Sequence, residues 1–248
     1  MGYPLHLHLN LAAGLTGDMF IAAVLDAFPR FEQRVIAAID ALDSPYPVVC
    51  SLVPHADNDV IGHRFEIEPF NKYFGYIPFA FSQERAGESV RERLLAAGVP
   101  SGVRVHAAGI FDLLVKAESE IQGILPEKAA FERAAWNSTA QVAGAAVLID
   151  ALQPARWTAS PFPPVDAVTP TGAAILEYLY PLRSRSKGPQ LPSVRTLTRS
   201  GTGFGNLTSQ HNFMRLLCFD EGDAALAGQN DPRTQRHAPS PAAGRPSQ

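Results

Sequence analysis

The residues best placed to do chemistry are the run Asn10-Leu11-Ala12-Ala13-Gly14-Leu15-Thr16-Gly17-Asp18. It joins an expected strand to an expected helix. Free backbone N–H groups and the helix dipole favour an anion there, and Gly14 and Gly17 permit close approach. Asp18, in the first helical turn, supplies a negative charge of its own, so a turn capped by Thr16 is the other reading. Thr169-Pro170-Thr171-Gly172 offers the same two readings. Thr169 and Pro170 suit an N-cap and a first helical position, while the Thr171 hydroxyl and the N–H groups of Thr171, Gly172 and Ala173 can face a phosphate or carboxylate.

Gly201-Thr202-Gly203-Phe204-Gly205 lacks the lysine and following Ser/Thr of a P-loop and has no helix after it. It reads as a hairpin-type turn, or as backbone that must approach something closely. The seven histidines are His6, His8, His55, His63, His106, His211 and His237, and no two stand at the i, i+3 or i+4 spacing of helical metal sites. Only His6 and His8 share a strand face, where two imidazoles either bind nickel or zinc or stand half-exposed. Asp112, Glu118 and Glu120 read as the solvated face of a helix whose core stripe is Phe111, Leu114, Val115 and Ala117.

The elements that must position these residues follow from periodicity. Leu5 to Leu9 alternates as a strand, and residues 18–28 and 31–42 carry helical spacing. Segments 48–53 and 61–68 read as a hairpin around the turn 55–59. Helices over 84–97, 103–121 and 127–152 form a central layer, broken at Gly98-Val99-Pro100 and at Gly123 to Pro126. An extended piece at 157–162, a helix from Thr169 to Tyr180, and strands at 194–198 and 212–219 complete an α+β fold: strand-loop-helix, β-hairpin, α-helical layer, then a C-terminal helix and β-strands. Residues 1–222 are expected to form one domain. Residues 223–248, rich in Ala, Gly, Pro and Ser, are expected to be a disordered tail.

At 248 residues and 46% hydrophobic composition the chain can bury a core of ordinary size. Its 21 basic and 24 acidic residues give a net charge of −3, which offers no pull toward nucleic acid or an anionic membrane. Two cysteines without a CxxC encode neither a disulfide framework nor a thiolate zinc site. With no signal segment and no stretch of about 18 apolar residues, a cytoplasmic location is expected.

Taken in order, three segments resemble the LarC family, whose members insert nickel into a pyridinium bisthiocarboxylic acid mononucleotide to make the nickel-pincer cofactor. Leu7 to Phe20 is similar to the family's opening strand and its Gly-x-x-Gly-Asp-Met stretch. Thr169-Pro170-Thr171-Gly172-Ala173-Ala174 is similar to its TPTGAA segment. Gly201-Thr202-Gly203 with His211-Asn212-Phe213-Met214-Arg215 looks like its glycine turn and Asn-x-x-Arg strand. Phe111 to Gly123 and Gln141 to Ala146 resemble the helices on either side of its histidine motif.

The departures fall on metal ligands. The aspartate usual after the first strand is Asn10. The HFHEVGAVDS stretch aligns with Ala129 to Ser138, which keeps Glu132, has neither histidine, and carries Asn137 for aspartate. The aromatic run Tyr73 to Phe81 replaces a histidine-rich run, and the match ends at Asp220, before the domain that in the family binds CTP with magnesium or manganese. Loss of imidazoles weakens a nickel site more than loss of one carboxylate does.

The resemblance implies Ni(II) as cargo, with Asp18, Glu132 and His8 as metal contacts and Gly14, Thr16, Gly17, Thr169, Thr171, Gly172, Gly201 and Gly203 around a nucleotide-like small molecule. It implies a nickel chelatase of the lyase class if active, with a separate CTP-binding polypeptide as partner. The alternative is a non-catalytic binding module, a carrier, sensor or partner subunit, that keeps the pocket without metal.

Overall fold

A computed structural model describes residues 5–42, 48–69, 85–123, 125, 130–131, 135–161, 167–180, 196–206 and 212–220. Strand β1 (Leu5–Asn10) leads into helix α1 (Gly17–Ala27), a 3-10 turn (Pro29–Phe31) and α2 (Glu32–Asp40). The hairpin β2 (Val48–Asp57) and β3 (Val60–Pro69) follows. Then come the short β4 (Arg85–Ala86), α3 (Gly87–Ala96), α4 (Ser101–Gln122), the short β5 (Ala130–Phe131) and α5 (Ala135–Ala151). The chain continues through β6 (Arg156–Ala159), α6 (Pro170–Leu179), β7 (Thr196–Phe204) and β8 (Phe213–Asp220). Among the described residues, six helices and a six-stranded mixed sheet of order β2-β3-β7-β8-β1-β6 make an α+β fold, as expected.

Local signals set most helix ends. Thr16 accepts the Met19 backbone N–H at 3.2 Å and Thr169 accepts the Gly172 N–H at 3.2 Å, so both expected N-caps are made. Gly123 ends α4 at φ +67°, a left-handed conformation that glycine adopts without strain. Helix α1 buries Met19, Phe20, Ile21, Val24 and Leu25 between the sheet and α5, each side chain contributing about 1.5 to 3 kcal/mol. Helix α5 is apolar all round, from Val142 to Ile149, because it lies among α1, α2, α4 and α6.

Three expectations change. The hairpin strands run on to Asp57 and start again at Val60, so the turn is Asn58-Asp59, with Asn58 at φ 51°; asparagine tolerates that region and a two-residue turn suits the strand twist. The helix expected from residue 127 begins at Ala135, because Ala130-Phe131 pairs antiparallel with Arg85-Ala86 and tertiary pairing overrides helical propensity. Gly201-Thr202-Gly203 is not a turn but the interior of β7, registered against Leu216, Arg215 and Met214 of β8. Its alternate glycines lie beneath α1: a Cβ on Gly201 would fall 2.6 Å from the Ala27 nitrogen, and one on Gly203 would fall 2.5 Å from the Ala23 nitrogen. The close approach inferred from these glycines is to a helix backbone.

Among the described residues no helix is long and apolar enough to cross a membrane. The expected tail at 223–248 and the aromatic run Tyr73 to Phe81 lie outside the described residues.

Candidate functional site

Strands β1 and β6 run parallel, with His8 opposite Thr158 and Leu9 opposite Ala159, and both end on the same edge of the sheet. The carboxyl ends of parallel strands are where crevices open in such sheets. The chain leaving β1 is stitched to the chain leaving β6. The Leu11 N–H donates to Ser160 Oγ at 2.9 Å, and the Ser160 N–H to the Leu9 carbonyl at 2.9 Å. Asn10 turns the loop by accepting the Ala12 N–H on Oδ1 at 3.1 Å. Further on, the Leu15 N–H donates to the Ala167 carbonyl (2.8 Å) and the Thr169 N–H to the Leu15 carbonyl (3.0 Å).

Two of the three sequence segments therefore meet. Gly14, at φ +144°, sits against Ala167; Gly172 backs onto Leu15, where a Cβ would fall 2.5 Å from the carbonyl oxygen; and Gly17 lies against the Gln141 side chain of α5. Thr171 is buried and donates its hydroxyl to Ser138 Oγ at 3.0 Å, which brings the start of α5 to the same place. The first turns of α1, α5 and α6 thus converge on the ends of β1 and β6. The dipoles at these helix starts favour negative charge, which the Asp18 carboxylate already supplies at α1. Most of the sequence-selected residues face inward on these contacts, and the accessible rim is formed by Asn10, Ala12, Ala13, Ser160 and Thr169. Ser138, Ser160 and Gln141 were not singled out from sequence, where isolated polar residues at helix starts and strand ends carry no distinguishing signal. Gly201 and Gly203 lie under α1 instead, away from the rim.

Of the expected metal contacts, the described Asp18 and His8 lie apart and each has partners within the fold. Asp18 is 5% exposed, and its carboxylate accepts the Thr16 hydroxyl on one oxygen. On the other it accepts the Asn206 backbone N–H (3.1 Å) and side-chain amide (2.8 Å). It clamps the start of α1 to the end of β7. His8 projects from the opposite face of the sheet, since Leu7 and Leu9 face the helices. His6 and His8 are 0% and 5% exposed, not half-exposed as expected, and both share Thr158 Oγ1, at 2.6 Å and 3.0 Å. One hydroxyl carries one proton, so it donates to at most one of the imidazoles and accepts an N–H from at least one. Glu132 and His211 lie outside the described residues. Among the described residues no group of three His, Cys, Asp or Glu side chains is placed to hold a metal ion. Burial pushes the Cys50 and Cys218 thiols up to about 12, so neither is a thiolate near neutral pH.

Burial lowers the His8 pKa below its ordinary 6.5. The folded state then binds this proton less readily than the unfolded chain. Its contribution to stability is complete above about pH 6.5 and is lost as the pH falls from there toward the folded-state value, with a slope of at most about 1.4 kcal/mol per pH unit. Melting temperature is expected to fall between pH 7 and pH 5, and more gently in His8→Gln. A parent curve flat over that range would contradict the assignment of a buried neutral imidazole.

These features define a class: an α+β protein in which two loops and the starts of three helices meet at the carboxyl ends of a pair of parallel strands. The model of the family described as "Nickel insertion protein" matches residues 7–165, well over half of the sequence, and the chain belongs to that family. A curated protein of Pelobacter propionicus (strain DSM 2379 / NBRC 103807 / OttBd1), named "Putative nickel insertion protein", is 25% identical over 249 aligned residues. The alignment covers 85% of this chain and 59% of that protein, so the chain spans little more than half the length of this relative. No solved structure matches.

Proposed function

We propose that the chain acts in LarC-type nickel insertion, holding the pyridinium bisthiocarboxylic acid mononucleotide in the crevice at the ends of β1 and β6 while nickel, as cargo, is placed on the ligand's sulfur donors. The observation that carries this reading is the meeting, at one crevice, of the two segments through which the chain most resembles its family: Asn10 to Asp18 and Thr169 to Gly172. The phosphate and carboxylate groups of such a ligand match helix N-termini, and soft sulfur suits nickel.

A second reading, the non-catalytic carrier, sensor or partner subunit, is favoured by the internal partners of Asp18 and His8. Two of the three side chains that the sequence offers to nickel are engaged in the fold.

Calorimetric titration of the purified chain with Ni²⁺, with the mononucleotide, and with both separates the two. Insertion predicts micromolar or tighter nickel uptake that requires the mononucleotide; the binding module predicts mononucleotide uptake that nickel leaves unchanged. Ala12 is exposed on the rim, so Ala12→Asp places a negative charge there without disturbing the core. It is expected to weaken mononucleotide binding about tenfold at unchanged melting temperature. Equal affinity in parent and variant would place the ligand elsewhere.

A further inference from the structure

Three arginines gather around two phenylalanines at the C-terminal end of α1, the end away from the crevice. Phe28 and Phe31 flank the 3-10 turn, are 3% and 7% exposed, and hold their ring centroids 6.1 Å apart. The Arg30 guanidinium lies over both rings, 5.6 Å from the Phe28 centroid and 4.7 Å from that of Phe31. Arg34 of α2 lies 5.7 Å from the Phe31 centroid, and Arg199, brought in by β7, lies 5.4 Å from that of Phe28. All three arginines are exposed.

Among the described residues, none of the three forms an ion pair with a carboxylate. Of the carboxylates close by in sequence, Asp26 is taken up by the His63 imidazole (2.7 Å) and the Thr202 backbone N–H (2.7 Å), and Glu32, between Arg30 and Arg34, forms no ion pair with either. The dipole at the end of α1 accounts for a cation there, but three gathered like charges repel one another. The chain as a whole is acidic, so the cluster is not a sample of a generally basic surface. A guanidinium held over a ring keeps its N–H edge available and loses less freedom on meeting an anion than a free side chain does.

We propose that Arg30, Arg34 and Arg199 form a binding site for a compact, multiply charged phosphate anion, either free pyrophosphate or the polyphosphate tail of a nucleotide. Several negative charges within a few ångströms match three cations around one pair of rings, and planar guanidinium forks match phosphate oxygens. Carboxylates of an acidic peptide are spread along the chain at more than 3 Å per residue and match the cluster less well. The site lies at the far end of α1 from the crevice, so the two readings stand or fall separately.

The test is titration of the full chain with sodium pyrophosphate at low salt. Saturable binding that weakens as salt is added is expected, reduced about tenfold in Arg30→Gln and in Arg199→Gln and by less in Arg30→Lys. Each guanidinium covers part of a ring, so melting temperatures are measured beside binding. If Arg30→Gln melts early, Arg34→Gln, which touches Phe31 alone, serves in its place. A nucleoside triphosphate that binds more tightly than inorganic triphosphate identifies a nucleotide tail as the source, and equal affinities identify the free anion. Absence of saturable binding, parent-like binding by both Arg30→Gln and Arg199→Gln, or tighter binding of a polyglutamate peptide would overturn the proposal.

Discussion

Adding one methyl group at Gly203 is expected to remove about 3 kcal/mol or more of folding free energy, although the residue lies far from the crevice rim. The Cβ would overlap the Met19 carbonyl oxygen and stand 2.5 Å from the Ala23 nitrogen. Both are backbone atoms inside α1, so no side-chain rotation relieves the clash. The helix must lift from the sheet, and α1 carries the buried side chains of Phe20, Ile21 and Leu25. For a domain of this size the loss corresponds to a fall in melting temperature of about 6 to 12 °C. Gly201→Ala meets Ala23 and Ala27 in the same way and is expected to behave alike. Gly98→Ala is the control: nothing lies within 4 Å of its added Cβ, so its melting temperature should equal or slightly exceed the parent's. Parent-like melting of Gly203→Ala would mean that α1 does not lie on β7 as described.

Asp18→Ala is the second large loss, about 3 kcal/mol. The substitution leaves the Asn206 amide with only the Phe65 carbonyl at 3.4 Å, takes the partner from the buried Thr16 hydroxyl, and removes a negative charge from a helix N-terminus. Asp18→Asn keeps one oxygen and the shape, and is expected to cost about 1 kcal/mol. The pairing with Asn206 has its own signature. In a double-mutant cycle, Asn206→Ala should cost much less once Asp18 is already alanine, with a coupling of about 1 kcal/mol or more. Additive effects in that cycle would release Asp18 from the clamp and return it to the list of free metal ligands. Loss of nickel or ligand binding in Asp18→Ala alone therefore reports on folding as much as on a site.

The parts of this architecture that the sequence reveals are those decided within a few residues. Thr16 and Thr169 cap helices three residues ahead of their partners, and Asn58 turns a hairpin between alternating strands. What it conceals depends on distant partners. Alternate glycines in β7 carry no apolar pattern and so resemble a turn, and their reason is the backbone of α1, placed there by the tertiary fold. Asp18 reads as a free acid because Asn206 stands 188 residues away. His6 and His8 alternate with leucines as on a half-exposed strand, yet the sheet is covered on both sides at β1. Two loops of the candidate site were legible as a pair, since each joins a strand or extended segment to a capped helix. Their meeting was not, because it depends on the parallel pairing of β1 with β6.

That first strand also sets a timetable. Leu5 pairs with Asp220, and Asn10 with Arg215, so the earliest strand to leave the ribosome lies between two of the latest, β6 and β8. At roughly 5 to 20 residues per second, its hydrogen-bonding edges wait on the order of ten to forty seconds for partners. During that time α1 and the hairpin β2–β3 can collapse, but the sheet cannot close. A nascent chain arrested before β8 would hold the β3–β7 side and the β1–β6 side as two unjoined halves, and is expected to need shielding by chaperones.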